Sequence, residues 1–327
     1  MRILLVKLSS MGDVIHNLPV VSDLVRAFPG VTIDWVTESP YAPLVALHPG
    51  VSHALPVHLR SLKKQWWKQA QWAQLSHDRA LLGAQDYDAV LDTQGLVKSA
   101  IVACWVAGPR YGMSRDTVRE PLAARFYQHT FAIGKNSHAV TRNRQLAAAA
   151  FGYSLAGNVD YGLSGILAQT PRPPWLSGQR YIVMLHATSR ADKQWSAANW
   201  IALGKRLQAS GFTLVFPWGS DAERQTSEAL ADLLAHTESP VVPPALSLTE
   251  AAGLLAGASA VVGVDTGLTH LAVAFGRPTV GLYLTTSPEL TGLFSSSAAV
   301  NLGGGARLAP ANPSVDAVLE ALQPWLA

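Results

Sequence analysis

The chain has 327 residues, of which 49% are hydrophobic and 14% charged, so it can bury a large core; disordered and fibrous proteins are excluded. Its one cysteine, Cys104, excludes an internal disulfide or a thiolate metal site and fits a reducing compartment. The net charge of +3 divides into 16 basic against 10 acidic residues in 1–150 and 9 against 12 in 151–327. This balance is far short of a nucleic-acid-binding domain, but a basic first half can attract an anionic surface or substrate. Uneven surface charge without a function explains the division as well.

Strand-like runs of β-branched and aliphatic residues alternate with helix-length amphipathic segments, which predicts an α/β fold with parallel sheets. Three prolines in residues 169–179 predict a linker between an N-terminal domain at 1–168 and a C-terminal domain at 180–327. One helix is predicted to begin at Ser196 and stop at Gly211. A terminal helix is predicted at about 314–327, and it can pack on either domain. The predicted strands are Ile3–Lys7, Thr32–Val36, Ala89–Asp92, Tyr181–Leu185, Thr213–Phe216, Ala260–Val264 and Thr279–Leu282.

Membrane contact is predicted at one segment only. No uninterrupted apolar run reaches the roughly 18 to 20 residues of a membrane-spanning helix, and the N-terminal apolar stretch is too short for a signal peptide, so we expect a cytoplasmic protein. Residues 58–72, however, hold four basic residues and three tryptophans, which suits an anionic membrane interface or a phosphorylated lipid. A solvated helix with buried tryptophans is the alternative.

In doubly wound sheets, ligands bind at the carboxyl ends of the strands, so the loops after strands are the informative ones. Asp13 follows the first predicted strand and opens a helix. It can act as a helix cap or as a general base that takes a proton from an attacking sugar hydroxyl. Its position alone favours neither role.

Two loops of the second half suit an anionic leaving group. Residues 186–195 bring two adjacent hydroxyls and Lys193 into a strand-to-helix loop, although an ordinary polar loop explains them as well. In residues 264–270, Thr266 and Gly267 allow a pyrophosphate to approach a helix N-terminus. Asp265 would repel phosphate and is better explained by orienting the loop, and His270 can reach a phosphate or pack.

Several other kinds of site are excluded. No Gly-x-Gly-x-x-Gly follows the first strand and no P-loop occurs, which argues against nicotinamide, flavin and P-loop enzymes. Asp86-Tyr87-Asp88 resembles a metal-binding Asp-x-Asp, but it precedes its strand and so lies at the wrong end of the sheet. We expect no metal and no cofactor.

Six motifs in one order carry a resemblance that covers nearly the whole chain. The chain resembles the lipopolysaccharide heptosyltransferases, the ADP-heptose family of glycosyltransferases. The resemblance implies two Rossmann-like doubly wound domains that face a cleft, the glycosyltransferase B-type fold, with acceptor binding in the first and nucleotide-sugar binding in the second. The motifs are KLSSMGD at 7–13, LDTQGLVKS at 91–99, REPL at 119–122, HATS at 186–189, PWG at 217–219 and VDTGLTH at 264–270.

The resemblance also implies a reaction and partners. It implies inverting transfer of L-glycero-D-manno-heptose from ADP-heptose to Kdo of Kdo2-lipid A, at the cytoplasmic face of the bacterial inner membrane, with no nucleic acid and no obligate protein partner. A heptosyltransferase that acts later in core assembly and a non-catalytic ADP-sugar-binding module are the alternatives. Where the family usually has Tyr-Gly-Pro-Thr, this chain has Tyr283-Leu284-Thr285-Thr286, and leucine lacks the backbone freedom of glycine. This loop is therefore expected to differ in shape.

Residue by residue, the family pattern assigns roles. Asp13 takes the general-base position, and Lys193 offsets charge on departing ADP. The other nucleotide-sugar positions are Thr188, Ser189, Glu223, Asp265, Thr266, Gly267 and His270, with Glu223 at the ribose hydroxyls. The acceptor candidates are Arg60, Lys63, Lys64, Gln94, Lys98 and Arg119.

Overall fold

A computed structural model describes residues 1–165, 173, 175–176, 180–188, 190–235, 239–294, 298–304 and 312–326. Within it the chain divides into two units, Met1–Gly162 and Leu163–Ala327. Most of the predicted linker, 169–179, lies outside the described residues. Each unit is built on a parallel sheet with helices, which confirms the predicted α/β class with two Rossmann-like units.

The first unit holds a six-stranded sheet in the order β3-β2-β1-β4-β5-β6, in which every described pairing is parallel. The chain therefore winds outward from β1 through β2 to β3 and then restarts on the other side of β1 with β4. The carboxyl ends of β1 and β4 form the point where the winding direction changes, which is where such sheets bind ligands. The strands are β1 (Arg2–Val6), β2 (Thr32–Glu38), β3 (His53–Val57), β4 (Ala89–Asp92), β5 (Arg110–Met113) and β6 (His129–Phe131).

Six α-helices lie between these strands, and a seventh follows β6. They are α1 (Met11–Ile15), α2 (Leu18–Ala27), α3 (Ala42–Val45), α4 (Leu59–Lys64), α5 (Gln69–Gly83), α6 (Val97–Ala103) and α7 (Ala139–Phe151). The strands β1, β2 and β4 are buried on both faces because helices cover the sheet. Apolar residues run through most of β1 and β4 without alternation, whereas β2 also buries Asp34, Thr37 and Glu38. The loop after β4 is held by a buried carboxylate: Asp92 accepts hydrogen bonds from the amides of Gln94 and Gly95, from Ser99 and from Tyr127.

The second unit holds a five-stranded parallel sheet in the order β11-β10-β9-β7-β8. Here the chain runs outward from β7 to β8, then crosses to β9 on the other side of β7, so the winding direction changes between β7 and β9. The strands are β7 (Tyr181–Leu185), β8 (Thr213–Val215), β9 (Ala260–Val264), β10 (Thr279–Tyr283) and β11 (Ala299–Gly303).

The helices of the second unit are α8 (Ala197–Ala209), α9 (Asp221–Leu234), α10 (Leu248–Gly257), α11 (Gly267–Ala274), α12 (Pro288–Thr291) and α13 (Val315–Leu326). The predicted start of α8 is confirmed, since the Ser196 side chain accepts the Asn199 amide. Gly211 has φ +80°, which is the left-handed conformation that ends a helix, as predicted. The terminal helix α13 places Val318 and Leu322 in the hydrophobic core of the second unit, beside Trp200.

The predicted strands are all present with small differences in their ends, and β3, β5, β6 and β11 were not predicted. β3 and β11 are edge strands, and β3 is partly exposed and contains Pro56. β6 is also an edge strand and has only three residues. Short, half-exposed edge strands lack the long apolar run that identifies a central strand.

Candidate functional site

Hydrogen bonds join the loops after β1 and β4 at the carboxyl edge of the first sheet. The side-chain oxygen of Gln94 accepts the amides of Leu8 at 2.6 Å and Ser9 at 3.3 Å. Gln94 was predicted to bind the acceptor; it is buried, and in this structure its carbonyl oxygen is occupied by the β1 loop. It therefore fixes the loop that carries Asp13.

Asp13 lies in the first turn of α1, at this edge. Its Oδ2 accepts the backbone amide of Ser10 at 2.9 Å and the Ser10 hydroxyl at 3.0 Å. This is the arrangement of a helix cap, in which a carboxylate in the first turn binds the amide that precedes the helix. Both hydrogen bonds use one oxygen, and no described donor lies on Oδ1. Capping therefore leaves one carboxylate oxygen for a substrate proton.

Two ammonium groups flank the β1 loop. Lys7 is buried, and its Nζ donates to the carbonyl of Thr93 at 2.9 Å. Burial lowers the pKa of Lys7, against the opposing charges of Asp13 and Asp92. Lys98, an acceptor candidate, donates from Nζ to the Ser9 hydroxyl at 3.0 Å. Lys7 was not predicted as a site residue, although a lysine that ends a buried strand is a sequence signal.

Arg60 lies beside Lys98. Its backbone amide donates to Glu38 at 3.2 Å, and its guanidinium donates to the Tyr41 hydroxyl at 2.7 Å. Burial raises the pKa of Glu38, while the charges of Lys98 and Arg60 act against this shift. Burial is the largest cause that lowers the pKa of Lys98, and the positive charges of Arg60 and Lys63 lower it further. The structure thus brings together Arg60, Lys63 and Lys98.

Two further acceptor candidates lie apart from this group. Arg119 is exposed, and its charge acts on Lys7 rather than on Lys98. Lys64 is exposed in the last turn of α4, and no described contact joins it to the other candidates. Of the predicted acceptor residues, Arg60, Lys63 and Lys98 therefore form a cationic cluster, Arg119 acts on Lys7, and Lys64 lies outside the cluster.

The three tryptophans of residues 58–72 are exposed, two of them between α4 and α5 and one in α5, so the alternative of buried tryptophans is wrong. Trp66 and Trp67 are each 65% exposed and Trp72 is 51% exposed. The Trp66 and Trp67 rings meet edge to face, with centroids 6.3 Å apart. Among the described residues, no helix is both long enough and apolar enough to span a bilayer.

In the second unit, Lys193 and Asp265 form an ion pair at the carboxyl ends of β7 and β9, where the winding direction of the sheet changes. Lys193 Nζ lies 2.6 Å from Asp265 Oδ2, and both side chains are mostly buried. The Thr286 hydroxyl donates to the same oxygen at 2.8 Å, and His270 Nε2 lies 3.6 Å from Asp265 Oδ1. Burial by itself would raise the pKa of Asp265, but hydrogen bonds from His270, Lys193 and Thr286 outweigh it and hold the pKa well below its usual range. Asp265 is thus an ionised anchor for three side chains.

The other predicted nucleotide residues surround this pair. Thr266 is the N-cap residue of α11, and Gly267 is its first residue. Thr188 is partly exposed in the loop after β7, with no described hydrogen bond, and Ser189 lies outside the described residues. Thr286 was not predicted, although it lies three residues after the end of β10 and the rule about strand ends applies to it too. It follows Leu284 and Thr285, the two residues at which this loop departs from the family pattern.

Glu223 lies on the other side of β7, in the first turn of α9. Its Oε2 accepts the Gly219 amide at 2.7 Å, and Ser220 caps the helix. Burial lowers the pKa of His186, and the negative charge of Glu223 opposes this shift. Glu223 therefore borders the loop after β7, where the nucleotide is predicted to bind.

The Asp-x-Asp motif lies away from these loops. Asp88 accepts the amide of Arg2 at 2.7 Å, at the amino end of β1, as the sequence predicts. In the part of the chain that the structure describes, no group of three or more His, Cys, Asp or Glu side chains is placed to hold a metal ion.

Comparison with known proteins bears on what these two clusters do. The family model "Glycosyltransferase family 9 (heptosyltransferase)" matches residues 74–312. Lipopolysaccharide heptosyltransferase 1 of Pseudomonas aeruginosa is 43% identical over 312 residues, which cover 95% of this chain and 86% of that protein. The Escherichia coli K12 protein of the same name is 42% identical over 295 residues, 89% of this chain and 90% of that one.

A solved structure gives the same result. The structure of E. coli heptosyltransferase WaaC with ADP superposes with a TM-score of 0.90 at 38% identity and covers 100% of both chains. The resemblance predicted from the six motifs is thereby confirmed. The chain belongs to glycosyltransferase family 9 and is a heptosyltransferase.

Proposed function

We propose that this enzyme transfers L-glycero-D-manno-heptose from ADP-heptose to Kdo of Kdo2-lipid A, in the assembly of the lipopolysaccharide inner core. The relatives at 42–43% identity are named lipopolysaccharide heptosyltransferase 1, and one structure of WaaC contains ADP-2-deoxy-2-fluoro heptose. The observation that carries the proposal is the division of labour between the two sheets. In the first sheet, the carboxylate of Asp13 lies where the winding direction changes. In the second sheet, the ammonium of Lys193 lies at the corresponding point.

The chemistry is a single displacement with inversion. The acceptor hydroxyl attacks C1 of heptose and loses its proton to Asp13 Oδ1, while the bond from C1 to the phosphate oxygen breaks and ADP leaves. The Ser10 hydrogen bonds hold the carboxylate through Oδ2. Lys193, with Thr188, Ser189 and the amides at the start of α11, offsets the charge that develops on the diphosphate. Glu223 accepts hydrogen bonds from the ribose hydroxyls.

The experiment is mass spectrometry of Kdo2-lipid A after incubation with the purified enzyme and ADP-heptose. GDP-mannose as donor and an already heptosylated acceptor are run in parallel. We expect one added heptose on Kdo2-lipid A. Heptose on the heptosylated acceptor alone would assign a later step of core assembly, and ADP binding without any product would indicate a non-catalytic module.

The role of Asp13 is tested by Asp13→Asn and Asp13→Ala. Asparagine can still accept the Ser10 amide and so keeps the cap, but it cannot take a proton, so we expect turnover to fall about a hundredfold or more in both variants. Only Asp13→Ala also loses the cap, which should lower the free energy of unfolding by about 1 kcal/mol. Near-normal turnover of Asp13→Asn would leave Asp13 as a helix cap.

We also propose that the enzyme is cytoplasmic and contacts the cytoplasmic face of the inner membrane through Trp66 and Trp67. Exposed indoles beside Lys63, Lys64 and Lys68 suit the headgroup region of an anionic bilayer. We expect the double variant Trp66→Ala/Trp67→Ala to lose co-sedimentation with vesicles that contain anionic lipid. The control removes an exposed leucine of the second unit, Leu290→Ala, and equal loss in both variants would overturn the proposal.

A further inference from the structure

Arg142, in the first turns of α7, is a cation for which the fold supplies no counter-ion. Its Nη2 donates to the carbonyl of Thr117 at 2.8 Å and lies 3.1 Å from Met113 Sδ. Its Nε is buried with no hydrogen-bond partner, and none of the ion pairs within the described ranges includes Arg142. Burial lowers the pKa of Arg142, and no acidic group offsets that shift.

Arg144, two positions later in the same helix, shows what a satisfied guanidinium looks like. Its Nε donates to Asp23 Oδ2 at 2.7 Å and its Nη2 to Asp23 Oδ1 at 3.0 Å. The hydrogen bonds to Asp23 raise the pKa of Arg144, the opposite of the shift at Arg142. A partly buried charge that gains no counter-ion is costly, so one cation left in this state calls for an explanation.

The position of Arg142 supplies one. Met113 ends β5 and Thr117 follows it, so the guanidinium lies at the carboxyl edge of the first sheet. Asn143, next in the chain, donates from Nδ2 to the carbonyl of His16 at 3.3 Å, just after the helix that carries Asp13.

The charges around this point do not balance. Lys7 is subject to the positive charges of Arg119 and Arg142 and to the negative charges of Asp13 and Asp92. Asp92 already accepts four hydrogen bonds from its own loop and from Ser99 and Tyr127. Glu38 and Glu120 add two carboxylates beside Lys98, which is also subject to Arg60 and Lys63. Counting the groups that act on Lys7 and on Lys98, six cations face four carboxylates, which leaves this edge short of negative charge.

We infer that Arg142 binds an anionic group of the acceptor, namely the carboxylate of the Kdo sugar whose hydroxyl Asp13 deprotonates. The inference rests on the proposed function. A carboxylate accepts charge-assisted hydrogen bonds from a guanidinium, and the Nε of Arg142 is a donor without a partner in this structure. Arg142 would thus select an acidic acceptor sugar and place it beside the base. A phosphate of lipid A offers the same chemistry, and the test separates the two.

The test compares Arg142→Met and Arg142→Lys with the wild-type enzyme on three acceptors: Kdo2-lipid A, its Kdo methyl ester and its dephosphorylated form. We expect Arg142→Met to raise the KM for Kdo2-lipid A about tenfold or more, with the KM for ADP-heptose unchanged. On the methyl ester, wild type and variant should have the same KM, and lysine should restore part of the loss. The control, Lys205→Met, removes one exposed charge in the second unit and should change neither KM.

Three results would overturn the inference. One is an unchanged acceptor KM in a folded Arg142→Met, with folding checked by circular dichroism. Another is a loss that persists on the methyl ester, which would give Arg142 a structural role. The third is a loss that vanishes only on the dephosphorylated acceptor, which would assign a phosphate. Calorimetric titration of the same acceptors repeats the comparison without turnover, so absent transfer with Arg142-dependent binding would count against the proposed activity alone.

Discussion

The ion pair between Lys193 and Asp265 lends itself to a quantitative test. The two side chains are only 16% and 14% exposed, and their charged atoms are 2.6 Å apart. Removing one partner of a buried pair leaves the other charge desolvated, which costs about 3 kcal/mol. Because a little water reaches this pair, we expect Asp265→Asn to lower the free energy of unfolding by about 2–3 kcal/mol.

Lys193→Met should cost less, because Thr286 still donates to the carboxylate that remains. The double variant should be more stable than the sum of the single losses predicts, by a coupling energy of about 1–2 kcal/mol. Urea unfolding followed by circular dichroism measures all four proteins. The matched control is Asp316→Asn, which breaks an exposed pair with Arg206 and should cost under about 0.5 kcal/mol.

The same pair has a pH signature. The folded pKa of Asp265 lies below its ordinary value of about 3.9, so its stabilisation is complete above that value and is lost as the pH falls below it. The Asp265→Asn variant should not show this loss of stability at low pH. A coupling energy below about 0.5 kcal/mol, or an Asp265→Asn as mild as Asp316→Asn, would refute the reasoning.

Three further outcomes are expected. Burial lowers the pKa of His48 to about 4, so between about pH 6.5 and pH 4 the unfolded chain binds a proton that the folded chain does not. The free energy of unfolding of the first unit should therefore fall by about 3 kcal/mol over this range. In urea unfolding at pH 7 and pH 5, His48→Asn should show a smaller fall in stability than the wild type. Gly263→Ala would place Cβ 2.3 Å from Thr269 Oγ1 and should lower the thermal midpoint by the equivalent of about 1–3 kcal/mol, whereas Gly134→Ala meets nothing within 4 Å and should not. Thr286→Val, which loses its hydrogen bond to a carboxylate, should cost about 1.5 kcal/mol in the same assay.

Central strands could be predicted from the sequence because their environment leaves a mark on it. β7 and β9 are covered on both faces, which requires continuous apolar residues, and their observed bounds equal the predicted ones. Among the described strands β3 pairs with β2 alone, and it tolerates His53 and Pro56. Such a strand is held by its neighbour's backbone, which no local pattern reveals.

The candidate site divides in the same way. Asp13, Lys193 and Asp265 could be placed because each follows a strand that the sequence identifies. The hydrogen bond of Thr286 to Asp265, 21 positions away, depends on the order of strands in the sheet, which the sequence does not state. The contrast between Arg142 and Arg144 is still less accessible, because it depends on which helix face meets Asp23.

The two units have separate sheets and separate cores, and this arrangement affects how the enzyme can evolve. Every residue predicted to recognise the acceptor lies in the first unit, and every residue predicted to bind the nucleotide sugar lies in the second. A substitution that reshapes the cationic edge around Asp13 changes the first sheet and its helices, which hold none of the predicted nucleotide-sugar residues. Acceptor preference can therefore drift among descendants while the donor half stays under unchanged selection.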